Sequence, residues 1–156
     1  MRDVNLGLLI DALYWADPPE IQIKFNQNIL FSGTLTKIQK FNWALPAQDQ
    51  NRLSVFFLNK KDSDTVDNLD KAVIIKSIEL EGLNYPTFMY CSQYIPEYSD
   101  GYYRYAKENN IVVEPLIHSN YVGFNGEWFL EFTWPTFTWI YETETQSGGW
   151  IYEKNI

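Results

Sequence analysis

The chain has 156 residues, a hydrophobic fraction of 46%, an aromatic fraction of 17% and a formal net charge of −8. That length fits one domain able to bury a sizeable core, and the apolar content excludes an intrinsically disordered chain. The acidic balance argues against nucleic acid, whose phosphates are bound by Lys and Arg, and against an anionic membrane surface. Cys91 is the only cysteine, so no intrachain disulfide framework exists. The first stretch, MRDVNLGLLIDALYWADPP, does not have the form of a signal peptide: Asp3 and Asp11 interrupt its short apolar run, and no small-residue cleavage pattern follows. No segment approaches the ~20 apolar residues of a spanning helix. The expectation is a soluble protein made in a reducing cytosol.

In chain order, Leu6, Leu9, Ile10 and Leu13 share one stripe at helical spacing, Asp3 stands where an N-cap would, and Pro18-Pro19 forbids continuation. Residues 1–19 therefore read as an N-terminal amphipathic helix or arm. It folds back on its own domain or lies in a groove of a neighbouring subunit. Gly7 weakens the helix by about 1 kcal/mol relative to Ala. The β-core is expected over residues 20–156. Its first strand is Ile21-Gln22-Ile23-Lys24-Phe25, with the apolar residues on one face. A turn at Asn26-Gln27-Asn28 precedes Ile29-Leu30-Phe31 and the run from Thr34 to Trp43, which Leu45-Pro46 ends.

The stretch from Asn51 to Gly82 carries the strongest strand signal. Leu53, Val55 and Phe57 alternate with Ser54, Phe56 and Leu58. Beyond an acidic connection, Ala72, Ile74, Lys76, Ile78 and Leu80 fall on one face and Val73, Ile75, Ser77 and Glu79 on the other, with Lys76 breaching the apolar side. A shorter strand is expected near Tyr85 to Tyr90. From Tyr85 to Tyr105 the chain carries seven of its eleven tyrosines. This region reads as a long ordered loop with one helical turn near Tyr102 to Lys107. In the last third, Asn125-Gly126 is a hairpin signal joining Tyr121–Phe124 to Trp128–Phe132. Phe137, Trp139 and Tyr141 then alternate with Thr136, Thr138 and Ile140 as a further strand, and Gly148-Gly149 turns the chain into Trp150-Ile151-Tyr152. Together these elements predict an all-β, two-sheet β-sandwich, jelly-roll-like, with a short N-terminal helix or arm.

Two groups of residues carry candidate chemistry. Asp62, Asp64, Asp67 and Asp70 supply the hard oxygen ligands that calcium takes six to eight of. The spacing is not that of an EF-hand loop, and Lys60, Lys61 and Lys71 flank it. The same carboxylates also suit a solvated turn that keeps a sheet edge soluble. The tyrosines, Tyr94, Tyr98, Tyr102 and Tyr103 among them, form a partner-binding surface for protein or glycan, or pack flat on the sandwich with only their hydroxyls wet. The stripe of Leu6, Leu9, Ile10 and Leu13 is a second partner-binding candidate. His118 is the only histidine, and no P-loop, GxSxG or HExxH motif occurs, so no catalytic residues are assigned.

The segment LSVFFLNK…DKAVIIKSIELEG resembles the strand–loop–strand core of calcium-dependent xylan-binding modules. Those have an apolar strand ending in Asn-Asp, a loop, then Asp-Arg and a strand closing at Gly. Asn59 matches, Lys60 stands where the family has Asp, Asp70-Lys71 stands for Asp-Arg, and Gly82 closes. The resemblance implies a jelly-roll-like sandwich. A longer stretch, residues 20–153, is similar to small proteins of tailed marine bacteriophages, cyanophages in particular, through FNQNILFSGTL, NKKDSDT…DKAVIIKSIELEGL and GFNGEWFLEFTWPTFTWIYE. That resemblance implies a capsid decoration or tail-associated protein, made in the host cytoplasm and carried in the virion. The expectation is therefore a non-enzymatic virion protein that docks on other virion subunits in an oligomeric assembly. The alternative is a carbohydrate-binding module that engages host or environmental glycans. No cofactor is expected apart from a possible role for calcium, and neither nucleic acid nor membrane is an expected partner.

Overall fold

The computed structural model describes residues 2–155, with side chains described through residue 145. Two antiparallel sheets stack as a β-sandwich. The first runs β4-β1-β6-β8 and the second β3-β2-β5-β9-β7. The strands of the first are β1 (Asp3–Leu13), β4 (Gln39–Pro46), β6 (Ala72–Leu80) and β8 (Tyr121–Val122). Those of the second are β2 (Glu20–Phe25), β3 (Asn28–Thr34), β5 (Gln50–Phe57), β7 (Gln93–Pro96) and β9 (Gly126–Thr133). One buried cluster joins them, with Leu8, Ile10, Ile23, Leu53, Val55, Ile75, Trp128 and Leu130 at its centre. Full burial of each such side chain is worth about 1.5–3 kcal/mol.

The N-terminal segment is a strand within the first sheet, not a helix or an arm. β1 pairs with β4 on one side and β6 on the other. Val4, Leu6, Leu8 and Ile10 enter the core at a period of two, while Leu9 is only half-buried and Leu13 is 41% exposed. The helical stripe of Leu6, Leu9, Ile10 and Leu13 is thus split between the core and the outer face. In a leucine-rich run both periodicities are present, and the two ladders that satisfy the backbone select the strand. Gly7 fits this arrangement, because a Cβ there would lie 2.6 Å from Glu79 Oε2 on the neighbouring strand. The sandwich therefore begins at β1 and not at residue 20.

The acidic connection after β5 leads from one sheet to the other, because β5 and β6 are in different sheets. In β6 the partner of Leu9 is Ser77 and the partner of Ile10 is Ile75, so a bulge leaves Lys76 unpaired and exposed. The extra residue flips the faces, and the core receives Val73 and Ile75 before the bulge but Ile78 and Leu80 after it. That resolves the apparent breach of the apolar face. Asn125-Gly126 does not close a hairpin either: β8 pairs with β6, whereas β9 pairs with β5 and β7. Gly126 has φ +141°, and a Cβ on it would sit 2.2 Å from the Ile95 carbonyl oxygen. The glycine permits close approach of β7 rather than a tight turn.

Three helices complete the fold: α1 (Pro86–Cys91), α2 (Asp100–Glu108) and α3 (Thr136–Asn155). α1 replaces the strand expected near Tyr85 to Tyr90, with Pro86 at its first turn where a missing N–H costs nothing. α3 replaces the strand expected at residues 136–141 and runs on through Gly148-Gly149. Thr136 and Ile140 are buried and Trp139 half-buried on one helical face, while Phe137 and Tyr141 are exposed. Trp139 stacks on Phe88 of α1 at 6.0 Å and meets Phe132 of β9 at 5.9 Å. Aromatic and Thr-rich sequence favours a strand locally, and this docking overrides it.

Candidate functional site

At one end of the sandwich three segments enclose a cleft of about 760 Å³. They are the acidic β5–β6 connection, the β7–α2 junction with the first turns of α2, and the chain from Ile117 to Asn125. Sequence dictates how α2 is placed. Ser99 is its N-cap: Ser99 Oγ accepts from the Tyr102 N–H at 3.1 Å and donates to Asp62 Oδ1 at 2.5 Å. Asp62 thereby lies at the positive end of the helix, a favourable position for a carboxylate. Gly101 leaves room for it, since a Cβ there would come within 2.3 Å of Asp62 Oδ2. Tyr102 and Tyr105, three residues apart, share one face and line the cleft.

The opposite wall is fixed from the core. Tyr94 is buried, and its hydroxyl accepts from the Phe124 N–H at 2.9 Å and donates to the Phe124 carbonyl at 2.5 Å. Burial pushes the Tyr94 phenol well above its ordinary range. The Phe124 ring lies edge-on to Tyr102 at 4.7 Å and to Tyr98 at 4.9 Å. Tyr98 stacks on Tyr102 at 5.2 Å and donates to the Glu114 carbonyl at 2.7 Å. Burial, with Tyr102 and Tyr103 alongside, raises the Tyr98 phenol as well. Tyr103 meets Tyr98 edge-on at 5.8 Å and is half exposed. Of the tyrosines expected at a partner surface, Tyr94 is therefore a core residue that positions the cleft. Tyr98 supports its wall, Tyr102 lines it and Tyr103 sits behind Tyr98.

The floor holds a tethered cation. Lys60 Nζ donates to Asp70 Oδ1 at 2.6 Å, the Lys71 carbonyl at 2.7 Å and the Gly123 carbonyl at 2.8 Å. Asp70 also accepts from Thr65 Oγ1 at 2.6 Å and from the Tyr121 hydroxyl. Burial works against ionisation of Asp70, but hydrogen bonds from Lys60, Thr65 and Tyr121 and from the Lys71 N–H hold its carboxyl below the usual range. Burial and the neighbouring carboxylate push the Tyr121 phenol up. Asn125 clamps the same lysine's backbone, accepting from the Lys60 N–H at 2.7 Å and donating to the Lys60 carbonyl at 3.1 Å.

A second lysine anchors the other half of the acidic connection. Lys71 is 1% exposed, and its Nζ donates to Asp17 Oδ2 at 3.1 Å and to the Asn59 carbonyl at 3.0 Å, with Asp64 Oδ2 at 3.6 Å. The Lys71 hydrogen bond keeps the Asp17 carboxyl below its ordinary range. Asp64 is buried and caps a short 3-10 turn by accepting from the Lys61 N–H at 2.7 Å. Asp67, with φ +54°, sits at the tip of the turn that Val66 and Leu69 close.

Asp62, Asp64, Asp67 and Asp70 therefore do not converge on one point as calcium ligands would. Asp62 goes to α2, Asp64 to Lys71, Asp70 to Lys60, and Asp67 to a turn. Among the described residues no group of three or more His, Cys, Asp or Glu side chains could hold a metal ion. His118 Nδ1 lies 3.1 Å from the Ser92 carbonyl oxygen, the single contact expected of a lone structural histidine. Sequence reasoning did not select Lys60, Tyr105, Tyr121 or Phe124. For Lys60 the signal was its place, with Lys61 and Lys71, at the flanks of the acidic connection, which suits paired rather than free carboxylates.

No helix among the described residues is long and apolar enough to cross a membrane. No family model and no curated protein matches the sequence, and no comparison supports the tailed-phage resemblance. Among solved structures, the chain is similar to a calcium-dependent carbohydrate-binding module in its selenomethionine form, from one of two such families linked by circular permutation. The identity is 12% and the TM-score 0.52, with 81% of this chain and 89% of that one covered. At that identity the likeness establishes the fold, a β-sandwich of the kind that module has.

Proposed function

We propose that the chain is a non-catalytic glycan-binding module whose cleft takes an uncharged saccharide. The observation that carries this reading is the cleft itself, where aromatic side chains stand beside carboxylates and hydroxyls at the end of a rigid sandwich. Tyr105 is 54% exposed and Tyr121 presents a partly open ring, while Asp62, Glu97 and Ser119 offer groups for sugar hydroxyls. Aromatic faces give apolar contact to the C–H faces of a pyranose, and the polar groups fix its orientation. The cleft holds the carboxylates of Asp62, Asp70 and Glu97 against the single ammonium of Lys60. That excess of negative charge repels uronates and sulfated sugars. The fold shared with a carbohydrate-binding module supports the same reading. The virion setting rests on sequence resemblance alone, and no feature of the cleft favours it.

The test is retention of the purified chain on a panel of immobilised neutral and acidic polysaccharides. Retention on one or more neutral members, lowered about tenfold by Tyr105→Ala, is expected; tenfold corresponds to 1.4 kcal/mol. An unaltered thermal melt for that variant would show that the loss lies in binding. A blank panel, or retention that Tyr105→Ala leaves untouched, refutes the proposal.

A further inference from the structure

We infer that the cation of this cleft is the ammonium of Lys60, carried on the chain itself, and that the cleft works without a metal ion. The ligand named in the test rests on the glycan-binding reading; the cation does not. Lys60 Nζ has three N–H donors, and the structure supplies three oxygens for them: Asp70 Oδ1, the Lys71 carbonyl and the Gly123 carbonyl, at 2.6–2.8 Å. One carboxylate and two main-chain carbonyls are the hard oxygen donors that calcium favours, but calcium needs six to eight of them at about 2.3–2.6 Å. The lysine side chain is only 9% exposed, so the ammonium fills this position rather than hovering at its mouth.

The nearby carboxylates of the acidic connection already have partners within the protein as well. Asp70 takes Thr65 and Tyr121 in addition to Lys60, so a divalent ion would have to displace three donors from one carboxylate. Asp62 is held by Ser99, and Asp64 by Lys71 and the Lys61 N–H. A metal entering here would strand a buried ammonium without a partner, which is strongly unfavourable. The similar solved module is calcium-dependent; in this chain the positive charge among these oxygens is the lysine's own.

A consequence concerns recognition. A metal ion keeps coordination positions that a ligand can enter, whereas all three N–H groups of Lys60 are used by the protein. Lys60 is therefore a positioning residue. It ties the acidic connection to Gly123 and holds Phe124, whose ring centroid lies 6.0 Å from Nζ, so it sets the width of the cleft. Ligand contact falls to the tyrosine rings and to Asp62 and Glu97.

The experiment uses the full chain, with calcium chloride and a chelator as the probes. Thermal melts of the natural protein in millimolar calcium and in chelator are expected to coincide within about 1 °C, because a ion that binds only the folded state would raise Tm. Retention on a neutral polysaccharide is expected to be equal in both buffers. Lys60→Met, which keeps the apolar stem, is expected to lower Tm by about 5–10 °C and weaken retention at least tenfold. A calcium-dependent rise in Tm, a stoichiometric heat on calcium titration, or retention abolished by chelator would overturn the inference. So would a Lys60→Met protein that melts like the natural one. If no polysaccharide is retained in either buffer, the glycan reading fails while the calcium melts still decide the cation. The comparison of buffers needs no variant, so a Lys60→Met chain that does not fold leaves the inference open to refutation.

Discussion

The placement of β1 is open to a sharp mutational test, because the strand and helix registers bury different leucines. In the strand, Leu8 is fully buried and Leu13 is 41% exposed; on the helical stripe, Leu13 belongs to the apolar face and Leu8 does not. Leu8→Ala removes a side chain between two packed sheets, where truncation costs about 3–5 kcal/mol through lost transfer energy and an unfilled cavity. For a chain of this length that lowers Tm by roughly 10 °C. Leu13→Ala is expected to cost only about 1–2 kcal/mol, since Leu13 keeps 41% of its surface in water and its truncation leaves no enclosed cavity. Urea denaturation of the two variants, followed by tryptophan fluorescence, measures both values with a common slope. Equal losses, or a larger loss for Leu13→Ala, would refute the strand register. Deleting the whole segment is the coarser version of the test. Val4, Leu6, Leu8 and Ile10 together contribute about 6–12 kcal/mol, comparable with the total stability of a domain. The deletion also bares the edges of β4 and β6, so residues 19–156 are expected to aggregate and to show no cooperative melt.

Other positions make separate predictions. Tyr94→Phe leaves the Phe124 N–H and C=O without their partner, and should cost about 2–4 kcal/mol in a denaturant melt. A loss below about 0.5 kcal/mol would show that the hydroxyl does not hold the cleft wall. Gly126→Ala places a Cβ against the Ile95 carbonyl at φ +141°, so β7 must move; amide exchange in Gln93–Pro96 should accelerate, and unchanged protection would contradict the close approach. The carboxyls of Asp70 and Asp17 are held below their ordinary range, so their contribution to stability is full above about pH 4 and is lost as pH falls through the folded values. Asp70→Asn should flatten that acid limb. Tyr94 and Tyr121 are raised, so their contribution is full below about pH 10 and is lost on further rise, which Tyr121→Phe should moderate in alkaline melts.

Sequence alone determined the class of fold. Alternation in Ile21–Phe25 and Leu53–Phe57 reports burial directly, because each strand buries one face and a period of two follows from the pleat. It also determined that the Asp62–Asp70 region is a turn-rich connection and that tyrosines gather before residue 105. Tertiary structure decided the rest. LGLLI carries both helical and strand periodicity, and the choice depended on the ladders with β4 and β6. TFTWIY has strand propensity, yet docking of Trp139 on Phe88 made it helical. Asn-Gly met the close approach of β7 instead of closing a hairpin. The meaning of the acidic connection depended on distance in space: Lys60 and Asp70 are ten residues apart, and Gly123 is far beyond both, but one ammonium bonds all three segments. Local sequence states which charges are present. Only the packing of the segments decides whether a carboxylate faces water, a metal or a lysine, because electrostatic pairing acts over a few ångströms whatever the separation along the chain.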